Sequence, residues 1–147
     1  MALSIKPYIE NKERIHLIGI GGVSMNSLAE LLLSKGVPVS GSDRLRTDVT
    51  ARLEALGASI TYEHRPENVE GASGELVRTA AVHDENPEIV RAHELGIPVM
   101  ERAEAWGHIM RDYDNVVCLS GTHGKTTSTS MMTMMTIEAQ MDPTVMV

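Results

Sequence analysis

Apolar positions along the chain alternate between two periods. Short, nearly continuous apolar runs suit a strand buried on both faces. The stretches between them carry apolar residues three and four apart, which suits a helix with one buried stripe. Arg14 to Ile20 predicts the first strand. The stretch after it sets Met25, Leu28, Ala29 and Leu32 on one helix face, and Lys35-Gly36 closes it. Val37 to Ser42 predicts a second strand, and Asp48 to Leu56 a helix with Val49, Leu53 and Leu56 inward and Gly57 as its stop. Ser59 to Tyr62 predicts a third strand. The polar stretch from Glu63 to Gly74 predicts a loop with a short helical turn, and Leu76 to Val82 a fourth strand. Asn86-Pro87-Glu88 then reads as a helix cap, a proline in the first turn and an acid at the positive end of the dipole. That helix runs to Leu95 and stops at Gly96. Ile97 to Met100 predicts a fifth strand, and Arg102 to Met110 a helix presenting Ala103, Trp106, Gly107 and Met110. Arg111 to Asn115 is polar and reads as a boundary. A sixth strand at Val116 to Leu119, a helix from Lys125 to Gln140, an Asp142-Pro143 turn and a strand stub at Val145 to Val147 complete the series. Alternating strands and helices predict an α/β fold, a Rossmann-like parallel sheet flanked by helices.

Two strand-to-helix turns carry candidate chemistry. Val116 to Leu119 leads into Ser120-Gly121-Thr122-His123-Gly124-Lys125-Thr126-Thr127. Glycines let backbone N–H groups close around an anion, and the helix start adds unpaired donors and a positive dipole end. Lys125 can reach outer phosphates, and the Thr126 hydroxyl can sit on Mg²⁺. Two residues separate Gly121 from Gly124-Lys125, where the common P-loop has four, so this is a short P-loop. The other turn is Gly19-Ile20-Gly21-Gly22-Val23-Ser24, with Asp43 22 residues after Gly21. That spacing suits the ribose-binding carboxylate of a Rossmann-like site, although Ser24 replaces the third glycine. A tight turn without a ligand is the alternative reading of it. Gly19–Ser24, Asp43, His64, Thr79–Asn86 and Glu101–Arg102 all follow predicted strands, at the edge where such sheets bind ligands.

Composition narrows the partners. Hydrophobic residues make up 42% and charged residues 22% of the 147-residue chain, as in globular proteins. A net charge of −7 argues against nucleic acid as the main ligand. No signal or membrane segment is visible, so the cytoplasm is the expected location. The single cysteine, Cys118, excludes an intrachain disulfide and reads as a small core residue. Met131, Met132, Met134 and Met135 crowd one helix and read as core packing.

One dinucleotide fold needs only one glycine turn. The pattern therefore predicts a Rossmann-like domain over residues 1–112, then the opening strand, phosphate loop and helix of a second domain over 113–147 that looks cut short. An oxidoreductase domain holding NAD through Gly19–Ser24 and Asp43 and a non-catalytic interaction domain remain open on the residues alone.

From about Arg14 to Val147 the chain resembles the Mur ligase family. The matching pieces are Gly19-Ile20-Gly21-Gly22 with Met25 and Leu28-Ala29, Ser40-Gly41-Ser42-Asp43, Asn86-Pro87-Glu88, Gly96-Ile97-Pro98-Val99 with Arg102-Ala103-Glu104, Gly121-Thr122-His123-Gly124-Lys125-Thr126-Thr127, and Asp142-Pro143-Thr144. Ser24 stands where the family usually has glycine, and Thr79 where serine is common. The resemblance is to the alanine-adding branch or its tripeptide-adding relative. It implies ATP-dependent ligation of L-alanine to UDP-N-acetylmuramate through an acyl phosphate, in peptidoglycan precursor synthesis. It further implies that Gly19, Gly21, Gly22, Val23 and Ser24 face the diphosphate, that Ser42 and Asp43 lie near the uridine, and that His64, Thr79, Asn86 and Arg102 neighbour the diphosphate and sugar. ATP would sit on Gly121 to Thr127, with Lys125 on its outer phosphates and Thr126 on Mg²⁺.

Overall fold

The computed structural model describes residues 4–146. Its contacts divide the chain between Asp112 and Tyr113. The first unit is a five-stranded sheet in the order β3-β2-β1-β4-β5, with every pair of neighbours parallel. The strands are β1 (Ile15–Ile18), β2 (Val39–Ser42), β3 (Ser59–Thr61), β4 (Leu76–Arg78) and β5 (Val99–Glu101). The helices are α1 (Lys6–Glu10), α2 (Val23–Ser34), α3 (Asp48–Ala55), α4 (Pro87–Leu95) and α5 (Arg102–Met110), and a 3-10 turn covers Pro66–Val69. The α/β expectation holds, and so do the helix starts. Asn86 caps α4 by accepting the Glu88 N–H at 2.9 Å, and Gly96 ends that helix in a left-handed conformation. The two-sided parallel arrangement also explains the nearly continuous apolar strands.

Alternation along β1 splits the core in two. Ile15 and Leu17 join a large cluster with Met25, Leu28, Ala29 and Leu32 of α2, Leu53 of α3, and Ala105 and Ile109 of α5. Ile18 turns the other way, into a smaller cluster with Val69, Leu76, Ile89 and Ala92 under α4. Strand order reverses between β1 and β4. The crossover rule accordingly carries α2 and α3 to one face and α4 to the other.

Several details differ from the expectation. The strands are shorter, because each ends where its backbone leaves the ladder: beyond Ile18 the Gly19 and Ile20 N–H groups both donate to the Ser42 carbonyl. α1 was not expected. Its five residues are too few for a visible period, yet Ile5, at its N-cap, lies in the core. Leu56 lies past the last turn of α3 and is exposed rather than inward. α5 buries Ala105, His108 and Ile109, with Ala103 and Gly107 outside, so its face is rotated from the expected one.

In the second unit only α6 (Lys125–Glu138) is regular among the described residues. Val116 to Leu119 pairs with nothing there and forms no strand, since a lone extended segment gains no ladder hydrogen bonds. Val145 and Met146 are irregular, and Val147 lies outside the described residues. Cys118 is exposed rather than in a core. The α6 methionines are likewise not core residues, being 37–68% exposed. The half-buried side of that helix carries Thr129, Thr133 and Thr136, whose hydroxyls donate back to carbonyls one turn earlier.

Candidate functional site

The strand reversal between β1 and β4 opens the sheet at its carboxyl edge, where such folds hold ligands. The first glycine turn lies there and is tied to the end of β2. Gly21 N–H donates to Asp43 Oδ2 at 2.8 Å, and Asp43 Oδ1 accepts the Arg44 and Leu45 N–H groups at 2.7 and 3.3 Å. Asp43 thus fastens two loops to each other. The Gly22 N–H folds back onto the Gly19 carbonyl at 3.0 Å. Gly22 begins α2 with no side-chain cap, and Val23, its first helical residue, is exposed. A helix start of this kind suits an anion. The Ser24 carbonyl accepts the Trp106 Nε1–H at 3.3 Å, which anchors the first turn of α2 to α5.

Below this edge lies a buried polar cluster around Glu88, a residue the sequence reading used only as a dipole acid. Its carboxylate is fully buried. Oε2 accepts the Ser42 hydroxyl at 2.7 Å and lies 3.0 Å from His64 Nδ1. Oε1 accepts the Asn68 amide at 2.5 Å, with His16 Nε2 3.5 Å away, a charge contact rather than a hydrogen bond. His16 Nδ1 meets the Ser40 hydroxyl at 2.9 Å. Burial pushes the Glu88 carboxyl upward, but the close approach and charge of His16, with the hydrogen bonds from Asn68 and Ser42, outweigh it and hold it below the ordinary range. Ser42 is fully buried and committed to this cluster, so its hydroxyl supports the site from beneath. A signal for the cluster was present: His16, Ser40 and Ser42 occupy alternate, same-face positions of two central strands. Polar groups there need partners from elsewhere in the chain.

The remaining candidates sit around the same edge. Thr79 is half-buried just past β4, and its carbonyl accepts the Val82 N–H. Asn86 spends its side-chain oxygen on the cap. Arg102, the first residue of α5, is half-buried, and its Nε is buried with no hydrogen-bond partner.

The second glycine loop, Gly121 to Thr127, is exposed throughout. Gly124 has φ +76° at the start of α6, a left-handed conformation that side chains disfavour. No side chain caps that helix. Lys125 Nζ donates to the Gly121 carbonyl at 2.7 Å, closing the loop on itself. An uncapped helix start, a left-handed glycine and an adjacent ammonium fit a phosphate chain. Thr126 is exposed. Among the described residues no three His, Cys, Asp or Glu side chains gather as a metal site. No described helix is long and apolar enough to cross a membrane.

Comparison with known proteins gives three findings. The model of one family, described as "Mur ligase family, catalytic domain", matches residues 14–114. UDP-N-acetylmuramate–L-alanine ligase of Clostridium novyi is 47% identical over 138 residues, which cover 94% of this chain and 30% of that protein. Its counterpart in Acetivibrio thermocellus is 47% identical over 133 residues, covering 90% of this chain and 28% of that protein. The chain therefore spans about 30% of the length of these relatives. Among solved structures, the UDP-N-acetylmuramate–alanine ligase of Thermotoga maritima matches with TM-score 0.78 at 33% identity, over 87% of this chain and 30% of that one. A murein peptide ligase from Psychrobacter arcticus matches with TM-score 0.81 at 27% identity, over 87% of this chain and 27% of that one.

Proposed function

The chain belongs to the Mur ligase family, and from that premise we propose that residues 1–112 seat the UDP-N-acetylmuramate of an ATP-dependent carboxylate–amine ligase. Residues 113–147 would then supply the phosphate loop for ATP, and the reaction would build peptidoglycan precursor in the cytoplasm. The observation that carries the reading is the uncapped start of α2 at the point where strand order reverses. A diphosphate placed there meets backbone donors and a helix dipole. Arg102 brings a partly buried guanidinium with an unpaired Nε to the same edge, and His64 brings an imidazole. Asp43 holds the glycine turn in shape before any ligand arrives, so little ordering cost remains at binding.

Joining a carboxylate to an amine requires an activated acyl group, which ATP supplies when bound. The chain's part is positioning and charge neutralisation. Lys125 would leave the Gly121 carbonyl for the outer phosphates, and Thr126 would offer its hydroxyl to Mg²⁺. The 45–47% identity to alanine-adding relatives favours L-alanine as the incoming amine; the likeness to a murein peptide ligase keeps a peptide as the second reading.

Calorimetric titration tests the assignment. UDP-N-acetylmuramate is expected to bind this chain, with NAD silent. Tight NAD binding without any response to the UDP-sugar would overturn it in favour of an oxidoreductase domain.

A further inference from the structure

His64 has a partner arrangement that decides which of its nitrogens carries a proton. With Glu88 ionised, the 2.7 Å contact between Ser42 Oγ and Glu88 Oε2 must hold the serine hydrogen. The serine oxygen can then only accept. His64 Nδ1 lies 3.0 Å from Glu88 Oε2 and 3.1 Å from Ser42 Oγ, two acceptors. Nδ1 must therefore carry a hydrogen in every protonation state the ring adopts. Nε2 makes no hydrogen bond among the described residues and is absent from the buried unpartnered atoms, so it reaches solvent. A neutral ring would turn the Nε2 lone pair toward any anion at this edge. Only the imidazolium offers it an N–H.

We infer that Glu88 is a positioning residue, which orients His64 and compensates its positive charge so that Nε2–H donates to the diphosphate of the bound UDP-sugar. The inference rests on the reading of this edge as the diphosphate seat, and adds the residue that makes His64 competent there. The elements packed around the Glu88 carboxylate and the ring contribute these groups. β1 brings His16, β2 Ser42, the 3-10 turn Asn68 and α4 Glu88. On its own loop, Glu63 and Arg65 pair with each other. Glu88 is fully buried and has no full cation bonded to it, since Ser42 and Asn68 are neutral. His16 also faces it but is buried, which leaves His64 as the ring that can exchange a proton with water when a ligand arrives.

The test is calorimetry of UDP-N-acetylmuramate binding to this chain at pH 8 in buffers of different ionisation enthalpy, together with ¹⁵N spectra of the imidazoles. The expected result is uptake approaching one proton per ligand and Nδ1–H on His64 in the free protein. Affinity should fall at least tenfold as pH rises from 6 to 9. Glu88→Gln and His64→Gln should each abolish the uptake and flatten that pH dependence. The wild-type spectra and uptake decide the matter even if a variant fails to fold. Binding without proton uptake or pH dependence, or a His64 with bare Nδ1, would overturn the role of Glu88 while leaving the site reading intact. Absence of UDP-sugar binding at any pH would overturn both.

Discussion

Two buried glutamates of this chain behave in opposite ways, and their neighbours are the reason. Glu88 is held below the ordinary carboxylate range despite burial, because donors surround it. Glu75, just before β4, is as deeply buried, but neither of its oxygens has a hydrogen-bond partner. Burial, and then the charge of Glu104, push it up to about 7. A carboxyl raised in the folded state binds its proton more tightly there than in the unfolded chain. Its contribution is thus fully present below pH 4.5 and is lost as pH climbs to about 7. We predict that stability falls across that window, with Glu75 responsible for roughly 3 kcal/mol of the fall. In urea melts Glu75→Gln should match the wild type near pH 4.5 and exceed it at pH 8. Equal pH profiles for the two proteins would refute this. Neither environment was legible in the sequence, where both residues are acids beside a predicted element.

At the level of elements, the helices were more legible than the strands. α4 begins at the Asn86 cap and ends at Gly96 as its local sequence placed them, because capping is chemistry between residues near in sequence. The buried face of α5 was not legible. Its nine residues carry apolar groups on several sides, and only packing on the sheet selects Ala105 and Ile109. Strand β2 has a similar dependence on its neighbours. A Cβ at Gly41 would lie 2.7 Å from the Leu17 carbonyl oxygen and 2.7 Å from Ile20 Cδ1. The backbone contact cannot yield cheaply, so Gly41→Ala should cost about 2–3 kcal/mol. Chemical denaturation would measure it, and a loss under 0.5 kcal/mol would show that β1 and β2 can move apart (roughly the size of a neutral surface change). Asn86→Ala removes only a cap and should cost about 1 kcal/mol by the same method.

Across the whole chain, the two units should differ in how readily their backbones open. Residues 115–121 have no regular structure and are exposed, whereas β1 and β2 are fully buried. Hydrogen exchange is predicted to be complete within seconds at 115–121 and slower by several orders of magnitude at Ile15–Ile18 and Val39–Ser42. Protection of Val116 to Leu119 equal to that of β1 would mean that this apolar run does form a strand in solution. The exposed α6 methionines belong to the same contrast: their apolar character was plain in the sequence, but burial needs a neighbouring surface, which a helix pattern alone does not supply.

The sequence by itself determined the alternation of strands and helices from β1 to α5, the Asn86 cap, and the places of the two glycine turns. All of these depend on residues within a few positions of one another. Tertiary structure alone decided the reversal of strand order between β1 and β4, and the meeting of His16, Ser42, His64, Asn68 and Glu88 around one buried carboxylate. Those residues come from four separate segments. Sheet order and parallel register, which arise from long-range packing, bring them together.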